Sequence, residues 1–108
     1  MKKVYEYPVI FAVEDHQTKD GDFPVFITVP DLIDAGFVAS SGGHTEDDII
    51  GIASDCMKNA IRNGLKNGLD VPAISNLRDI DVKRHLASYE ASPVELKSIT
   101  IEWIKAEV

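Results

Sequence analysis

Five carboxylates gather in the first third of the chain: Glu14, Asp15, Asp20, Asp22 and Asp31. Side chains of this kind, set at strand ends, can hold divalent ions and activate water for phosphodiester cleavage. Such a site needs carboxylates from several elements aimed at one point. Here all but Asp31 fall in a single polar stretch, Glu14 to Asp22, which is ordinary composition for a solvated loop. A metal-dependent nuclease is therefore a secondary reading. The same cluster fits better as a surface that meets a basic protein, with Glu14, Asp15, Asp22 and Asp31 as the candidate contacts.

The remaining reactive side chains point away from catalysis. His16, His44 and His85 lack the paired short spacings of metal ligands. His16 lies in a loop and His44 precedes a helix, so both are expected in solvent. Cys56 sits on the apolar stripe of that helix, about three turns from its start, too deep for the helix terminus to activate a thiol. It reads as a small hydrophobe. Ser41-Gly42-Gly43-His44-Thr45 matches neither a P-loop nor a dinucleotide fingerprint. Glu46, Asp47 and Asp48 would also repel phosphate there, so the stretch reads as a glycine turn feeding a capped helix. The expectation is a non-enzymatic chain with no cofactor, metal or catalytic residue.

Charge narrows the partners. Eighteen acidic residues face eleven basic ones, for a net charge of -7. Phosphate backbones repel such a surface unless the cations are segregated, and here they are scattered. Direct nucleic-acid contact is disfavoured. A basic protein partner is favoured, because opposite fields speed encounter.

Length and composition set the frame. A chain of 108 residues, 44% hydrophobic and 27% charged, fits a single domain over 1–108. No run nears the roughly 20 apolar residues of a membrane span. Met1-Lys2-Lys3 leads into no apolar leader. One cysteine makes no internal disulfide. A cytoplasmic setting follows as the expectation.

The elements that must position these residues show in the periodicity. Tyr5, Tyr7, Val9, Phe11 and Val13 alternate along a first strand, where Pro8 calls for an edge or for an amide position facing away from the ladder. Phe23, Val25, Ile27 and Val29 form a second strand, ended by Pro30. Phe37 to Ser41 is a third, bracketed by Gly36 and Gly42-Gly43. Thr45 is the expected N-cap of the main helix, with Asp48 three residues on as a variant capping box. Ile49, Ile52, Ala53, Cys56, Met57, Ala60 and Ile61 make its apolar stripe. Gly64 costs about 1 kcal/mol against alanine, so fraying there or an end by Gly68 is expected.

Beyond the main helix, Leu69 to Pro72 reads as extended, with a short helix around Asp81 to Ser88. Leu96 to Ile104 is a last strand with Ile99, Ile101 and Trp103 on one face. The order β-β-β-α-β predicts an α+β fold, an antiparallel sheet with one main helix on one face. Ile10, Pro24 and Phe26 fall on the opposite face, a hint of self-association.

From Tyr5 to Pro72 the order of motifs resembles the HicB-like family of antitoxins. The resemblance is carried by Tyr7-Pro8-Val9-Ile10, the acidic loop with Asp20-Gly21, Pro30-Asp31-Leu32, Gly36, Gly43-His44-Thr45-Glu46-Asp47 and Gly68-Leu69-Asp70-Val71-Pro72. It implies a small, partial RNase H-like domain that neutralises HicA, a small basic mRNA-cleaving ribonuclease, by covering its active face. It also implies a homo-oligomer. The chain departs from the family pattern in a longer turn over residues 30–36, and after Pro72, where no DNA-binding appendage is recognisable. An orphan or prophage HicB-like scaffold without toxin binding is the alternative reading.

Overall fold

The computed structural model describes residues 3–82, 85 and 96–108. In chain order the elements are β1 (Val4–Glu14), β2 (Pro24–Thr28), α1 (Pro30–Asp34), β3 (Ser40–His44), α2 (Ile49–Lys66), a 3-10 turn (Leu77–Asp79) and β4 (Leu96–Glu107). The strands form one four-stranded antiparallel sheet in the order β3-β2-β1-β4. This is the expected α+β architecture, with α2 as its main helix.

Alternation sorts the residues of β1 between two faces, and from Tyr7 to Ala12 both are buried. The odd-numbered row of β1, from Tyr7 through Val9 to Phe11, is buried together with Val25, Ile27, Ile104 and Ala106. From α2, Ala53, Met57, Ala60 and Ile61 complete that core. Each such large side chain contributes about 1.5–3 kcal/mol by leaving water. The helix spans the sheet rather than lying along one strand. Ile52 reaches over Gly43 at one edge, and the Ser54 hydroxyl donates to the Lys105 carbonyl at the other (2.7 Å). On the second face Ile10 and Ala12 are buried, packed by Phe26, Ile101 and by Ile80 and Val82 from the chain after α2.

Pro8 sits in a central strand, and hydrogen-bond parity explains why. Lys3 and Val108 exchange both backbone bonds (3.0 and 2.8 Å). Such pairs recur at every second residue of an antiparallel ladder. Pro8, paired with Trp103, therefore falls at a non-hydrogen-bonded position. Its nitrogen faces away from β4, on a stretch of β1 that β2 does not reach, because β2 pairs only with Ile10 to Val13.

Several expectations are corrected. Pro30-Asp31-Leu32-Ile33-Asp34 is not a loose turn but the helix α1, with Pro30 in the first turn, where its missing N–H is no loss. The third strand lies at Ser40–His44 rather than Phe37 to Ser41. Phe37 and Ala39 are buried before it, and the Val29 amide donates to the Ala39 carbonyl (3.0 Å). Gly42 and Gly43 are strand residues opposite Phe26 and Val25, not a turn. A Cβ on Gly43 would lie 3.0 Å from Ile52 Cδ1, so the missing side chain lets α2 settle on the sheet.

The helix cap also moves. Asp48, not Thr45, is the N-cap, accepting from the Gly51 amide (3.1 Å). Thr45 instead accepts from the Phe23 amide (3.1 Å). The helix runs through Gly64 and ends by Gly68, the second of the two expected outcomes. A Cβ on Gly64 would fall 2.1 Å from the Phe37 ring, so this glycine admits the aromatic. Gly68, with φ +81, closes the helix. Its amide reaches the Leu65 carbonyl, and the Leu69 amide reaches that of Gly64 (3.1 and 2.9 Å), a Schellman motif. The short helix expected at Asp81 to Ser88 lies largely outside the described residues. Of it, the His85 amide bonds the Asp81 carbonyl (3.2 Å).

Candidate functional site

Chain reversal brings two acidic segments to one corner. The β1–β2 loop, carrying Glu14, Asp15, Asp20 and Asp22, returns into β2 through Phe23. That residue is tied on both sides to Thr45 in the β3–α2 turn: its amide donates to Thr45 Oγ1 (3.1 Å), and its carbonyl accepts from the Thr45 amide (2.9 Å). Glu46, Asp47 and Asp48 follow at once. Asp15, Asp20, Glu46, Asp47 and Asp48 are all exposed. Lys97 brings one opposing charge, its ammonium 3.7 Å from the centroid of the Phe23 ring.

The four carboxylates read from the sequence as partner contacts do not form one patch. Glu14 keeps its side chain 13% exposed and lies 3.5 Å from His16 Nε2, while Asp15 is open to solvent. Asp22 is buried and accepts from the Thr18 hydroxyl, closing its own loop. Asp31 lies past the far end of β2, buried, with Oδ2 accepting from the Ser75 amide (2.8 Å). Asp22 and Asp31 thus spend their oxygens inside the molecule. Glu46 and Asp47 take their place at the surface. By sequence those two read as helix-end charges, and only the Phe23–Thr45 pairing brings their turn against the end of the β1–β2 loop.

Other candidates fall as follows. His16 and His44 are more than half open at the side chain or close to it (59% and 50%). His44 lies 3.6 Å from Asp47, whose Oδ2 also accepts the His44 amide (2.9 Å). His85 is buried, with Nε2 3.4 Å from Asp34. Cys56 is half-buried on α2, and burial pushes its thiol pKa up, against nucleophilic activation. Among the described residues no three His, Cys, Asp or Glu side chains converge as a metal site. No described helix is long and apolar enough to cross a membrane.

The corner presents exposed carboxylates from two segments, and such a surface attracts cations through its field. Compared with protein-family models, curated proteins and solved structures, the chain matches none.

Proposed function

We propose that the chain is a cytoplasmic HicB-like antitoxin, a non-enzymatic protein that binds and occludes a basic, HicA-type ribonuclease. The observation that carries this reading is the acidic corner, built from segments some thirty residues apart and fixed by the two Phe23–Thr45 hydrogen bonds. Exposed carboxylates on a chain of net charge -7 draw a cationic enzyme by long-range attraction. Once docked, the sheet and helix cover the face that would meet RNA. Inhibition is then steric, with charge setting encounter rate and partner choice.

The test is co-expression with a small basic ribonuclease whose synthesis arrests growth. The antitoxin reading expects restored growth and a complex on size-exclusion chromatography. The double substitution Asp15→Lys with Glu46→Lys should weaken both. Growth arrest unrelieved by the intact chain, with no complex, overturns the proposal.

A further inference from the structure

A second surface lies at the outer edge of β4, where the sheet has no further strand among the described residues. The parity that places Pro8 also places Trp103 and Lys105 in non-hydrogen-bonded pairs with β1, so their backbone groups turn outward. The Ser54 hydroxyl bond to the Lys105 carbonyl shows that direction. Between this edge and α2 runs a groove of about 440 Å³. Ile50 and Trp103 are among its lining residues, exposed by 45% and 47%. Its charged groups are Glu6, Asp48 and Lys105, of which Glu6 and Lys105 face each other at 3.9 Å. Asp48 is exposed, with Oδ1 accepting from the Gly51 amide.

We propose that this groove binds an extended, arginine- or lysine-bearing segment of a partner protein, laid along the β4 edge. The assignment rests on the basic-partner reading above and names where such a partner reaches beyond the acidic corner. Trp103 offers an outward N–H and C=O for strand addition and Lys105 its N–H, the Lys105 carbonyl being taken by Ser54. A long cationic side chain lays its methylenes on Ile50 and sets its head against Asp48. Charge selects this occupant over a second copy of the chain, which would bring another -7 to the same edge.

Trp103 is the chain's single tryptophan, so its emission reports the groove directly. The full chain is titrated with a synthetic peptide of alternating arginine and valine, and with a matched glutamate–valine peptide. The expected result is a saturable change in Trp103 emission with the arginine peptide alone. Asp48→Asn, which keeps a competent N-cap, weakens that binding about two- to fivefold. Ile50→Ser weakens it as well. No change, an equal change with the acidic peptide, or a response indifferent to Asp48→Asn overturns the site. So does emission that varies with protein concentration alone, which would seat a second copy there.

The two proposals separate cleanly. A Trp103 response without growth rescue supports the groove and sinks the antitoxin reading. A toxin complex that leaves Trp103 emission unchanged does the reverse.

Discussion

The phenol of Tyr7 donates its hydrogen bond to the carbonyl of Pro72, across sixty-five residues of sequence. This contact fastens the segment leaving α2 to the stretch of β1 that β2 does not cover. Burial first, then Asp31 and Tyr5 nearby, push the Tyr7 pKa up to about 12. The folded chain thus holds this proton more tightly than the unfolded chain does. The linked stability is fully present below pH 10 and is lost as pH rises from 10 through about 12. Tyr7→Phe should cost about 0.5–1.5 kcal/mol at neutral pH and flatten that alkaline limb in urea melts taken across the window.

Gly64 and Phe37 make a second test. Alanine in place of a helical glycine ordinarily stabilises by about 1 kcal/mol. Here the new methyl meets the Phe37 ring, and overpacking costs about 1–3 kcal/mol. Gly64→Ala should therefore destabilise in chemical denaturation. Combining it with Phe37→Leu should recover part of the loss, and simple additivity of the two changes would refute the steric account.

The two cap candidates should part company. Asp48→Ala removes the group that binds the Gly51 amide and should cost about 1 kcal/mol, while Asp48→Asn should be nearly neutral. Thr45→Ala breaks a tie to Phe23 instead. Its effect should appear as faster amide exchange at Phe23, with the first turn of α2 unaltered.

The acidic residues should sort by burial. Asp31→Ala strips the Ser75 amide of its acceptor in a half-dry setting and should lower stability by about 1–3 kcal/mol. Asp15→Lys and Glu46→Lys, both at exposed positions, should change melting within about 0.5 kcal/mol. Their effect should fall on the rate of association with a cationic partner, and added salt should erase it.

Burial raises the Cys56 pKa, so little thiolate exists at neutral pH. Iodoacetamide should modify it slowly in the native chain and faster as pH climbs or as urea unfolds the helix. Equal rates in native and unfolded protein would contradict the packing described for α2.

Much of this architecture was legible from residue order. Alternation from Tyr5 to Val13 and from Val25 to Ile27 announced two strands. The spacing of Ala53, Met57, Ala60 and Ile61 announced the helix stripe, and Ile99 to Trp103 the last strand. The misreadings share one cause: the deciding partner lies far away in sequence. Gly42 and Gly43 look like a turn until Ile52 is seen resting on one of them. A five-residue helix such as α1 is too short to show a period, and Pro30 marks a strand end as readily as a first helical turn. Thr45 and Asp48 are equally good caps by type, and only Phe23 settles which is used. Of the surface carboxylates, Asp15 could be read from composition. The buried duties of Asp22 and Asp31 could not, because they depend on Thr18 and on Ser75.

The register of β1 against β4 sets Val4 opposite Glu107. A ribosome must emit everything from β1 through β4 before these two strands can meet. Until then the Tyr7, Val9 and Phe11 side chains wait without that neighbour, and closing so wide a loop is slow. Premature termination anywhere short of residue 96 would leave those aromatic and aliphatic groups stranded, ready prey for chaperones and proteases.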